Sequence, residues 1–289
     1  MKHILCKSLL ASTILVTTSA YAVPVDLDFS NPYNVNFDKT IYWDTGHLAT
    51  SDAVVHYTNV GMSGGSTIDA KVTATVFGDY VSDWQAPNYS NTSGAEPNGD
   101  HGFLYRRDSS LPGNQEANGG LEFVFELFDG TAGLSNTFTT PIMANELNII
   151  AYDVDGELDN IGNQQSEELR VFKSDGLMSY ITGTNAASLT ATDMGATILF
   201  EGPGTNFAET DTSGAVLLTY ANTDSFTLQF ESTTYANISS LDNPIFSAID
   251  GDLFIQFTGP PVQVPAPISV TLLGLGLVGL GLSRKRKIA

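Results

Sequence analysis

Ser225-Phe226-Thr227-Leu228-Gln229-Phe230-Glu231-Ser232 alternates apolar and polar residues without a break. In an extended chain, Phe226, Leu228 and Phe230 share one face and Thr227, Gln229 and Glu231 the other, the pattern of a strand with one buried face in an antiparallel sheet. Runs of the same kind recur on both sides: TIYWD (40–44), AVVHYTNV (53–60), STIDAKVTATVF (66–77), LEFVFELF (121–128), ELNIIAYDVD (146–155), EELRVFK (167–173), LMSYIT (177–182), ATILFEG (196–202), AVLLTYA (215–221) and DLFIQF (252–257). They are rich in Val, Ile, Thr, Tyr and Phe, and Gly, Asn and Asp separate them. About eleven strands with so little helical periodicity predict an all-β chain, an antiparallel sandwich or jelly roll.

One stretch breaks this rhythm. Residues 79–120 are rich in Asn, Gly, Ser, Pro and Asp, and read as a long loop that Trp84, Tyr89, Phe103 and Tyr105 tie down. The sandwich is therefore expected over 23–258, with GPPVQVPAP (259–267) as an extended, proline-rich linker behind it.

The two ends have different compositions. Residues 1–22 combine a basic start (Lys2, Lys7), an apolar middle (Leu9 to Val16) and Ala20-Tyr21-Ala22, which together read as an export signal peptide. At the other end, Val264-Pro265-Ala266-Pro267 precedes the apolar run ISVTLLGLGLVGLGL (268–282), followed by Arg284, Lys285, Arg286 and Lys287. At helical rise the apolar run spans ~22 Å against ~30 Å of bilayer hydrocarbon, a short membrane span. The basic cluster places the bulk of the chain outside the cell.

A proline motif, a Gly/Leu-rich span and a terminal basic cluster, in this order, resemble the tail of PEP-CTERM proteins. The family's usual glutamate between the prolines is Ala266 here. The resemblance implies a Gram-negative, polysaccharide-producing cell and an exosortase-like sorting transpeptidase as partner. It also implies that the tail first holds the chain in the inner membrane, with the cell surface or the exterior as destination. A second likeness lies within the body. Tyr57, Asn59, Val60, Gly65, Ile68, Asp69, Val72 and Thr73, followed later by Asp153, Asp155 and Gly156, are similar to a domain of secreted, adhesin-like bacterial proteins.

Without both ends, six basic residues (Lys39, Lys71, Arg106, Arg107, Arg170, Lys173) face 32 acidic ones, a net charge of −26. Such a surface repels nucleic acid, which is excluded as a partner, and favours solubility. The only cysteine is Cys6, in the signal segment, so a cysteine nucleophile or thiolate metal site in the body is excluded. About 240 residues bury a core without covalent staples.

Asp153, Asp155, Glu157 and Asp159 alternate at the end of a strong strand. If that segment stays extended, their carboxylates share one side, and clustered hard oxygens suit Ca²⁺. The spacing differs from an EF-hand, since Gly156 stands fourth and Gln164 twelfth. The alternative is a turn whose carboxylates cap backbone amides. Trp84 and Tyr89 are the aromatic candidates for stacking on a glycan. His47, His56 and His101 lack metal-site spacing, and no nucleophile elbow or phosphate-binding loop is present. Two functions stay open: a non-enzymatic surface or matrix protein associated with exopolysaccharide, or a secreted carbohydrate-active enzyme on a jelly-roll scaffold.

Overall fold

The structure, a computed structural model, describes residues 24–29, 32–35, 47–48, 53–78, 81–85, 101–107, 119–131, 133–134, 136–158, 164–185, 188–208, 211–235, 245–251 and 255–265. Residues 1–22, expected as an export signal, the run 40–44, Tyr89, Asp159 and residues 266–289, with the expected apolar span 268–282 and the cluster Arg284 to Lys287, lie outside the described residues, as does the side chain of Glu157.

In chain order the strands are β1 (Val25–Asp26), β2 (Pro32–Val35), β3 (His47–Leu48), β4 (Ala53–Ser63), β5 (Ser66–Gly78) and β6 (Val81–Gln85). Then come β7 (His101–Arg107), β8 (Gly119–Asp129), β9 (Ala144–Tyr152), β10 (Glu157–Leu158), β11 (Gln164–Phe172) and β12 (Leu177–Thr182). The last are β13 (Thr190–Asp193), β14 (Thr197–Glu201), β15 (Val216–Thr223), β16 (Ser225–Tyr235), β17 (Ile245–Asp250) and β18 (Val262–Gln263).

These strands form two sheets. One runs β18-β12-β15-β9-β17-β7-β6-β3, the other β13-β14-β11-β16-β8-β5-β4-β2. β1 adds to β9 in parallel, and β10 adds antiparallel to β11. The described chain is thus the expected antiparallel sandwich.

The alternation in 225–232 sets the inner face of the second sheet. Phe226, Leu228 and Phe230 are buried, and in register with them on β8 stand Phe125, Phe123 and Leu121, also buried. From the facing sheet, Leu147, Ile149, Val216, Leu218 and Tyr220 complete the core. Phe226 lies between two rings, 4.6 Å from Phe125 and 5.0 Å from Tyr220, both stacked. Burial of each such side chain is worth roughly 1.5–3 kcal/mol, so the aromatic seam is a principal source of stability.

The N-terminal segment ties the sheets together. β1 pairs with β9 of the first sheet, while the Asp28 amide donates to the Val60 carbonyl of the second at 2.8 Å. Leu27 and Phe29 fill the core between those contacts.

The expected loop over 79–120 is corrected. β6 and β7 lie inside it and pair with each other, and β7 also pairs with β17. Phe103 and Tyr105 sit two apart on β7 and are both buried, a short inward alternation set among turn-forming residues. The C-terminal part is corrected too. Residues 255–257 are not in a strand, and 259–265 are not a free linker. From Ile255 to Pro265 the chain runs as a strap across the first sheet and onto its β12 edge.

Candidate functional site

The acidic turn after β9 is not extended. Asp153 adopts φ +59° and Gly156 φ +111°, so the chain coils and the side chains of Asp153 and Asp155 leave a common face. Asp155 is buried. Its Oδ1 accepts from the Gly156 amide at 2.5 Å and its Oδ2 from the Phe207 amide at 2.6 Å. Its carbonyl accepts from the Gly204 amide, and Gly202 packs on its backbone so closely that a Cβ there would stand 2.4 Å from the carbonyl oxygen. The carboxylate is thus a clamp joining 153–156 to 202–207, each oxygen accepting from a backbone amide. Among the described residues, no group of three or more His, Cys, Asp or Glu is placed to hold a metal ion.

The first block of the adhesin-like motif has the same character. Asp69, buried on β5, accepts from the Asn59 amide at 2.9 Å and from the Asn136 amide at 3.0 Å. Both donors sit at positive φ, +58° and +66°, which asparagine tolerates better than most residues. Asn59 marks a register shift in the β4–β5 pairing, and Asn136 belongs to the loop after β8. Gly130 leaves room for this arrangement: a Cβ on it would lie 2.4 Å from the Asp69 carboxylate.

His101 belongs to the core. Its ring packs edge-on against Phe29, Tyr57, Phe123 and Phe125, and the Tyr57 hydroxyl and its Nδ1 lie 2.6 Å apart. Among the described residues its Nε2 has no hydrogen-bond partner, and burial pushes the imidazole down to about 3. Trp84 is enclosed as well, with none of its surface exposed. An enclosed ring has no face open to a sugar, so the glycan role expected for Trp84 is corrected. Of the nominated pair, Tyr89 lies outside the described residues.

The outer face of the second sheet is polar. Lys71 pairs with Glu126 at 2.5 Å across β5 and β8, and Arg170 pairs with Glu231 at 2.6 Å across β11 and β16. Glu231 and Glu168 hold the Arg170 guanidinium above its ordinary range.

Sequence reasoning missed the strap. Ile255 is buried on the outer face of the first sheet with Ile150, Tyr152, Ala215 and Ala248, and Phe257 and Leu217 pack alongside. Gly259 passes close to Ile181 and Thr184. β18 then pairs antiparallel with β12, setting Val262 opposite Tyr180 and Gln263 opposite Ser179. The Val264 amide donates to the Met178 carbonyl at 2.9 Å, and the Val264 side chain packs against the main core. Pro265 is exposed. The available signal was two alternating apolar pairs, Ile255 with Phe257 and Val262 with Val264, within a proline-rich composition.

Residues 263–287 match the PEP-CTERM protein-sorting motif. The tail is therefore a PEP-CTERM signal, which implies export, exosortase processing and surface sorting in a Gram-negative bacterium. The motif begins at Gln263, inside β18. Among the described residues, no helix is long and apolar enough to cross a membrane. The curated proteins contain no match.

Solved structures resemble the fold at low identity. The N-terminal domain of the Streptococcus gordonii adhesin Sgo0707 is 12% identical over 74% of this chain and 49% of that one, with a TM-score of 0.37. The adhesin domain of PrgB from Enterococcus faecalis is 10% identical over 71% of this chain and 65% of that one, at 0.42. The glucan binding protein C of Streptococcus mutans is 12% identical over 70% and 58%, at 0.38. This chain thus spans between about half and two thirds of each of those proteins' resolved lengths.

Proposed function

We propose that this chain is a non-enzymatic module displayed at the surface of a Gram-negative cell, where its acidic sandwich sits among exopolysaccharide. The observation that supports the reading is the employment of its polar groups. Asp69 and Asp155 clamp loops through backbone amides, Glu231 holds Arg170, and His101 is sealed among aromatic rings. Catalytic acids and bases need access to substrate at hydrogen-bond range; these groups instead stabilise the scaffold. A body with a net charge of −26 stays hydrated and resists collapse onto anionic lipid or nucleic acid. The sorting tail supplies the address.

The test is fractionation of a polysaccharide-producing, exosortase-bearing Gram-negative host that expresses the full chain. The chain is expected in the surface and matrix fractions, and removal of residues 263–289 should abolish that retention. Equal distribution of the two forms would overturn the reading. So would release of reducing ends from the matrix polysaccharide by the purified full chain.

A further inference from the structure

The sorting motif and the folded body share residues. Gln263 and Val264 are the first residues of the motif and, among the described residues, also the last held by the first sheet. Their attachment is specific. The Val264 amide is bonded to Met178, its side chain is inserted against the core, and upstream Ile255 and Phe257 are seated on the outer face of the same sheet. β18 pairs with β12 over only two residues.

One recurring way a protein reads a peptide segment is as an added strand, through main-chain hydrogen bonds and pockets for alternate side chains. Here part of that main chain is already bonded to β12, and the Val264 side chain already packs against the core. Binding by a second protein must compete with the first sheet for the same groups.

From this overlap we infer that the strap Ile255–Val264 is a latch: while it is docked on β12, it withholds the start of the sorting motif from the processing enzyme, and undocking precedes cleavage. The inference rests on the sorting reading of the tail and adds a conformational step to it. The latch is short, so it slows processing without blocking it. It also requires the body to be folded, because β12, β9 and β15 must be assembled before the strap has a seat.

Two opposed perturbations test this without altering residues 263–287. Phe257→Asp places a charge in the outer seat and should loosen the strap. Tyr180→Cys with Val262→Cys places thiols at directly opposed positions on β12 and β18, in a body with no cysteine of its own, and should lock it. Each full-length variant is followed by pulse-chase in an exosortase-bearing host, as conversion of precursor to tail-cleaved product. Near-ultraviolet circular dichroism of the purified chains confirms that the body is folded. Phe257→Asp is expected to convert severalfold faster than wild type. The double-cysteine chain should convert severalfold slower than either single-cysteine chain and recover on reduction. If neither perturbation changes conversion, or Phe257→Asp slows it, the latch is wrong while the sorting reading stands. A wild-type precursor that is never converted overturns both.

Discussion

The Tyr57 hydroxyl on β4 and the His101 Nδ1 on β7 share a 2.6 Å hydrogen bond across the core, joining one sheet to the other. Both residues are buried, and the surrounding rings offer the imidazole no second polar partner.

This pair makes stability dependent on pH. His101 is neutral when folded, with its ionisation pushed down to about 3, but takes up a proton near 6.5 when unfolded. The unfolded state then binds more protons between those values, so stability is fully present above pH 6.5 and is lost as pH falls toward 3. Between pH 7 and 5 the loss from this residue alone is about 2 kcal/mol. Urea denaturation at the two values should show it, and His101→Phe should flatten that part of the profile. An unchanged slope in the variant would show that carboxylates govern this window.

Asp69 holds two left-handed residues that are otherwise remote, Asn59 ten positions away and Asn136 sixty-seven. Asp69→Ala removes both acceptors and should cost about 3–4 kcal/mol, since it leaves two backbone amides without their charged partner. Asp69→Asn keeps one carbonyl and should lose less. Asn59→Gly should be nearly neutral, whereas Asn59→Val should be costly, because a β-branched residue resists positive φ. Shifts in the urea midpoint at constant slope would check the series.

The pattern of these contacts explains what could be read in the sequence. Phe226, Leu228 and Phe230 point inward because strand alternation is a local rule, and the sandwich follows from many such segments. Asp153 and Asp155 look alike by the same rule, yet positive φ at Asp153 breaks the alternation and Phe207, 52 residues from Asp155, supplies an amide. Neither fact has a local signature. The strands around Trp84 and Phe103 were hidden by a turn-rich neighbourhood, and the strap by its prolines. In each case a tertiary partner outweighs local propensity.

The acidic turn gives a direct contrast between clamp and cation site. With both carboxylate oxygens of Asp155 accepting from amides, millimolar Ca²⁺ should leave the melting temperature of the full chain unchanged. Asp155→Ala should destabilise by about 2–4 kcal/mol whether or not Ca²⁺ is present. Gly202→Ala should have a similar effect, because its Cβ would meet the Asp155 carbonyl. A Ca²⁺-dependent rise in melting temperature that Asp155→Ala abolishes would restore the metal reading.

Salt should stabilise this protein, although it weakens the ion pairs. Lys71–Glu126 and Arg170–Glu231 lie at the surface of the second sheet and are partly exposed, and pairs of this kind contribute little in water. Against them stands a net charge of −26 confined to one sandwich, which opposes compaction at every separation shorter than the screening length. That length falls from about 30 Å at 0.01 M to about 3 Å at 1 M ionic strength, so added salt removes the long-range repulsion while the paired charges, in contact, are screened less. Thermal melts in increasing sodium chloride should therefore rise by several degrees before levelling off. A fall in melting temperature would mean that the few local pairs outweigh the excess of carboxylates.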